Sequence, residues 1–171
     1  MALVKKMEIQ KKNILMSIDP SINNLGVAIW DLTKSELLFW KLVHPKKEFK
    51  QNEYEKSWSM YCQLLDFAVD YGVNRIICEV PEHWAVAGFQ ARETGSIQKL
   101  MFVCGMIYSM RSGLDEMQLI PPRGWKNQLP KKVVANRLKD DYVKYGIDMT
   151  VLDENVMDSI GIGHFYIHGT V

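Results

Sequence analysis

Four acidic residues, Asp19, Glu79, Glu154 and Asp158, stand at the edges of predicted strands or helices and are spread over the whole chain. Asp19 ends the apolar run Ile14-Leu15-Met16-Ser17-Ile18. Glu79 ends Arg75-Ile76-Ile77-Cys78, and Asp158 leads into Ser159-Ile160-Gly161-Ile162-Gly163. A carboxylate at the end of a hydrophobic strand is costly to bury unless it is paired or ligates a metal. Three of them converging from distant parts of one chain would form an all-oxygen site for a hard cation, Mg2+ or Mn2+. Each also has a plainer reading. Asp19 before Pro20 suits a turn, Glu79 suits an ion pair at a strand edge, and Asp158 suits a helix N-cap.

The elements that must carry these residues are legible from periodicity. Residues 14–18 read as a buried strand, 26–30 as a second and 37–43 as a third, with Lys34-Ser35 turning a hairpin between the latter two. From Tyr54 to Tyr71, Trp58, Tyr61, Leu64, Leu65, Ala68 and Val69 recur at three and four, which predicts an amphipathic helix closed by Gly72. Arg75 to Val80 is a short continuous apolar strand of the parallel, covered kind, stopped by Pro81. A loop over 82–94 contains Trp84 and Phe89. Thr94 or Ser96 is expected to cap a helix running to about Arg111 that is apolar on nearly all sides, a pattern of buried or interfacial helices. Gln118-Leu119-Ile120 reads as the last strand, followed by a helix from Pro130 to Tyr145 and a final one from about Glu154 to Tyr166. The order βββαβαβαα predicts an α/β fold.

Composition narrows the class. Hydrophobic residues make up 47% and charged residues 24% of 171 residues, which excludes disorder and fits one domain with a full core. No apolar run reaches the roughly 18 residues of a membrane span, so no membrane partner is expected. Residues 1–13, with Lys5, Lys6, Lys11 and Lys12, read as a short basic arm and not as a targeting peptide. Cys62, Cys78 and Cys104 lack CxxC spacing, which argues against a disulfide framework and a zinc site and for a reducing cytoplasm. The net charge is +1, but Arg123, Lys126, Lys131, Lys132, Arg137, Lys139 and Lys144 crowd one stretch against Asp140 and Asp141. Such a stretch fits a phosphate backbone, and equally an ordinary solvated helix face.

Four segments, in order over residues 14–166, give the chain a family likeness. They are Ile18-Asp19-Pro20-Ser21-Ile22-Asn23-Asn24-Leu25-Gly26, Ile76-Ile77-Cys78-Glu79, Thr94-Gly95-Ser96-Ile97-Gln98-Lys99-Leu100 with Gly105, and Glu154-Asn155-Val156-Met157-Asp158-Ser159-Ile160-Gly161-Ile162-Gly163. Together they resemble the RuvC-type Holliday junction resolvases, in particular phage-encoded ones, within the ribonuclease H-like superfamily. The resemblance implies a mixed five-stranded sheet flanked by helices, filling a nuclease domain over residues 14–171. It implies a homodimer that nicks four-way DNA symmetrically by two-metal hydrolysis, with two Mg2+ or Mn2+ ions per site, in the cytoplasm of the cell or of a phage's host. Asp19, Glu79 and Asp158 match the family's catalytic, metal-holding acids. The family usually carries an aspartate or histidine where this chain has Asn155. The Asn155 amide oxygen is one substitute ligand, and Glu154, one turn before Asp158, is another.

By the same resemblance Lys131 is a catalytic candidate, and Lys126, Lys131, Lys132 and Arg92 are candidates for the DNA backbone. Trp84 or Phe89 would wedge into the crossover, and the helix 96–111 would contribute to the dimer interface. Trp125 reads as core, and His83 beside Glu82 as a solvated loop residue or a water-orienting one. Asn155 also keeps open a weakened or inactive junction-binding protein. Another ribonuclease H-like nuclease is the further alternative. An actin-like ATPase is disfavoured by the short chain and the missing glycine-rich phosphate loops.

Overall fold

The computed structural model describes residues 13–49, 52–81, 95–127, 129–148 and 152–171, the side chains of Lys131 and Asp141 excepted. The expected basic arm therefore lies outside the described residues, except for Asn13. Strands β1 (Ile14–Pro20), β2 (Leu25–Asp31) and β3 (Glu36–Val43) form an antiparallel meander. β4 (Arg75–Glu79) then pairs parallel with β1, and β5 (Glu116–Ile120) pairs parallel with β4. The sheet order is β3-β2-β1-β4-β5, the mixed five-stranded sheet that the sequence predicts.

Side chains alternate across a strand, so each strand feeds two cores. On one face Met16, Ile18, Val27 and Ile76 meet α1 (Glu53–Tyr71) and α2 (Ser96–Tyr108) through Met60, Leu64, Val103 and Ile107. On the other face Leu15, Ala28, Trp30 and Ile77 meet the helices that follow β5 and the final helix α6 (Glu154–His168). Burying each such side chain contributes about 1.5–3 kcal/mol, so these two layers dominate the stability. Asp19 and Glu79 follow Ser17 and Ile77 by two, which turns both toward the α6 face.

Helix ends follow local chemistry. Asn52 accepts from the Glu55 N–H at 2.9 Å to start α1, and Gly72, at φ 68°, closes it. Asp153 accepts from the Asn155 N–H at 2.8 Å to start α6. Asp158 is thus not an N-cap. It lies one turn further in, with its side chain bound to Lys126.

Two expectations are corrected. Helix α2 is entered through Gly95 at φ 68° with no side-chain cap, so Ser96 is the first helical residue. Thr94 lies outside the described residues. The segment after β5 is three short helices, α3 (Pro122–Trp125), α4 (Lys131–Arg137) and α5 (Lys139–Lys144), and not one helix from Pro130 to Tyr145. Pro130 precedes the first turn of α4 as its N-cap, and the break at Leu138 lets Val134, Leu138 and Tyr142 all bury in one core. Of the two readings of helix α2, full burial does not hold, and the interfacial one stays open. The helix buries Val103, Cys104 and Ile107 but exposes Met101, Phe102 and Tyr108, next to exposed Tyr54 and Trp58 of α1. Among the described residues no helix is long and apolar enough to cross a membrane.

Two glycines set the height of α6 over the sheet. A Cβ on Gly26 would lie 1.8 Å from the Asn155 carbonyl oxygen, and one on Gly163 would lie 2.0 Å from Trp30 Nε1. Only hydrogen fits at either point, so α6 rests directly on β2 and brings its first two turns to the ends of β1 and β4.

Candidate active site

β1 and β4 are adjacent and parallel, so their C-terminal ends lie side by side, with Ile18 paired to Cys78. Asp19 and Glu79 are the next residues on each. Asp19 is buried. Glu79 is held from three directions. The thiols of Cys78 and Cys104 approach its main-chain carbonyl at 3.3 and 3.9 Å. The Trp125 indole N–H donates to its Oε2 at 2.6 Å. The Lys126 ammonium lies 3.6 Å from the same oxygen.

Asp158 enters from α6. The Lys126 Nζ donates to its Oδ2 at 3.1 Å, so one ammonium bridges two carboxylates that are far apart in sequence. These three side chains are only 15% (Lys126), 15% (Glu79) and 9% (Asp158) accessible. They are therefore screened far less than a surface ion pair. Burial pushes the Glu79 carboxyl above the usual carboxylate range, and the Asp158 charge adds to the rise. Lys126 and the Trp125 hydrogen bond offset it only in part.

The other predicted residues fall at different distances from this centre. Glu154 lies in the first turn of α6, exposed, and lines with Lys132 and Asp158 a groove of about 340 Å3 that Tyr142 and Met157 floor. The Asn155 Nδ2 donates to Asn24 Oδ1 at 2.8 Å, clipping α6 to the β1–β2 turn. Lys131 is the first residue of α4. Glu82, His83, Trp84, Phe89 and Arg92 lie outside the described residues.

The donor set fits a divalent cation. It consists of carboxylate oxygens on the ends of adjacent elements, and burial holds the Glu79 carboxyl above its usual range. Among the described residues, however, no three His, Cys, Asp or Glu side chains form a ready metal cluster. Lys126 occupies the space between two of the carboxylates.

Sequence reasoning missed three parts of the site. Trp125 is buried as expected but spends its one N–H on Glu79, a use that any buried indole N–H invites. Lys126, read as a contact for DNA backbone, reaches the acids themselves. Asn24 had no signal beyond its turn position.

Three solved structures share the fold. RuvC of Thermus thermophilus with a Holliday junction substrate superposes with a TM-score of 0.65 at 15% identity, covering 88% of this chain and 90% of that one. The yeast mitochondrial Holliday junction resolvase Ydc2 gives 0.58 at 12% identity, covering 91% of this chain and 78% of that one. The fowlpox virus resolvase with Holliday junction DNA gives 0.54 at 16% identity, covering 91% and 97%. The fold is thus ribonuclease H-like, of the type seen in these resolvases. No protein-family profile and no curated protein sequence matches the chain.

Proposed function

We propose that the protein is a metal-dependent, structure-selective endonuclease that resolves four-way DNA junctions. One observation carries the reading. Asp19, Glu79 and Asp158 come from the ends of two adjacent parallel strands and from the final helix onto one side of the sheet, in a fold shared with junction resolvases. Asp19, Glu79 and Asp158 would hold Mg2+ or Mn2+, with Glu154 or Asn155 completing the set. Two such ions supply an activated water and stabilise the leaving 3′ oxygen of a phosphodiester. The protein's own part is rigidity. Trp125 fixes the Glu79 carboxylate through the indole N–H, and the caps and glycine contacts of α6 fix Asp158.

The groove lined by Lys132, Glu154 and Asp158 gives a backbone a path to these acids, and Lys131 precedes Lys132 in α4. Arg92, and Trp84 or Phe89 as the wedge, would act from the segment after Glu79, which lies outside the described residues. A second copy meeting this one through the exposed apolar side chains of α1 and α2 would put two sites on opposing strands. A non-cutting junction binder is the second reading, because Asn155 brings no charge and its amide nitrogen is engaged with Asn24.

The test is a panel of labelled four-way junction, plain duplex and RNA–DNA hybrid, each with Mg2+ or Mn2+. Paired nicks near the crossover of the junction alone support resolution. Cutting of the hybrid instead points to another ribonuclease H-like nuclease.

A further inference from the structure

Lys126 is held at the acids by more than its own charge. It follows β5 through Pro121 and Pro122 and ends the four-residue helix α3, its N–H donating to the Pro122 carbonyl at 3.0 Å. Its ammonium lies 4.7 Å from the Trp125 ring centroid, a cation–π distance, while the same indole donates to Glu79. The next residue, Asn127, turns the chain at φ 55°. The lysine is thus delivered by a proline-stiffened turn onto Glu79 Oε2 and Asp158 Oδ2, at 3.6 and 3.1 Å. A unit positive charge at that point repels a second cation strongly in so enclosed a cluster.

We propose that the Lys126 ammonium is a built-in competitor for the divalent cation. It keeps Glu79 and Asp158 compensated in the free protein, and the metal enters by exchange as the ammonium leaves. The consequence is a site that holds metal weakly until a nucleic-acid phosphate offers Lys126 another partner. Metal and DNA then bind with positive coupling, each raising the affinity for the other. This inference rests on the reading of Glu79 and Asp158 as metal-holding residues.

The test is Mn2+ titration of the free, full-length protein, read by the loss of free-ion EPR signal, with thermal unfolding measured alongside. If the bridged state holds about 90% of molecules, removing the competitor tightens apparent Mn2+ affinity roughly tenfold. Lys126→Met and Lys126→Gln are expected to show that gain, with a lower Tm without divalent ion and a larger rise on adding it. Lys126→Arg keeps the charge and is expected to stay near the parent. Equal or weaker Mn2+ binding by folded Lys126→Met and Lys126→Gln overturns the competition while leaving the metal reading intact. Absence of Mn2+ binding in the parent and all variants overturns both. Adding a four-way junction in Ca2+-free buffer should tighten Mn2+ binding to the parent more than to Lys126→Met; equal tightening contradicts the coupling.

Discussion

Strand β4 begins at Arg75 and ends at Glu79, and the two ends treat their charge in opposite ways. At the first end the Arg75 Nε donates to Asn13 Oδ1 at 2.9 Å, and its Nη1 donates to the Tyr166 hydroxyl at 3.1 Å and to Glu116. Tyr166 donates to the same Glu116 oxygen at 2.8 Å, while Asn74 bonds Asp115 at 2.8 Å and takes the Ile14 N–H at 2.8 Å. Cations, anions and amides there are matched, and the result ties β1, β4, β5 and α6 together. At the other end the half-buried Glu79 and the buried Asp158 both pair with the Lys126 ammonium, and burial holds the Glu79 proton longer than usual. Matched charge at a strand end reads as architecture. Acids gathered in a rigid, enclosed frame, one of them raised by burial, read as a candidate site.

The contrast can be broken at four points, in order of expected effect. Asp19→Asn, Glu79→Gln and Asp158→Asn should each cut metal-dependent cleavage roughly a thousandfold, about 4 kcal/mol of transition-state stabilisation. Junction binding in gel shifts should persist, since it rests on lysine–phosphate contacts. Replacing Lys131 and Lys132 together by Ala should weaken binding and lower the salt slope by about 2, one per lost phosphate contact. An unchanged slope would put the DNA elsewhere.

Arg75→Ala should cost about 1 kcal/mol, because its partner Glu116 is 41% accessible and the pair is partly screened. Cleavage by the folded variant should match the parent, and a loss there would undo the distinction between the two ends. The smallest effect concerns Glu79→Gln again, now as a stability change without metal. The folded Glu79 carboxyl titrates above its unfolded value, so the native state binds the extra proton between the two values, and stability falls as pH rises through that window. The variant lacks this loss. Its Tm should exceed that of the parent at neutral pH, and the gap should close below about pH 4.

Much of this frame was legible because its signals are local. The run 14–18 before Asp19, the Lys34-Ser35 turn, the three-and-four spacing of α1 and the Gly72 cap each depend on neighbours in sequence. The approach of Glu79 and Asp158 came from a resemblance in motif order, not from any local pattern. What escaped was non-local or ambiguous in type. Trp125 counts as apolar in any hydropathy pattern, and nothing nearby says that its N–H meets a residue forty-six positions away. Lys126 sits in a basic stretch where lysines look alike, yet only a turn stiffened by Pro121-Pro122 aims it at the acids. The break at Leu138 follows from burial on the sheet, which overrides the helical propensity of 130–145. The loop over 82–94 and the arm before Asn13, on which the wedge, Arg92 and the basic-arm readings fall, lie outside the described residues.

Cleavage of a labelled four-way junction in Mg2+ or Mn2+, by the parent, Asn155→Asp and Glu79→Gln side by side, tests the central claim most directly. The account predicts paired, symmetry-related nicks by the parent, equal or faster nicking by Asn155→Asp, and none by Glu79→Gln, with all three binding the junction alike. Tight junction binding without a nick from either the parent or Asn155→Asp, in either metal, would contradict it and leave a protein that holds junctions without cutting them.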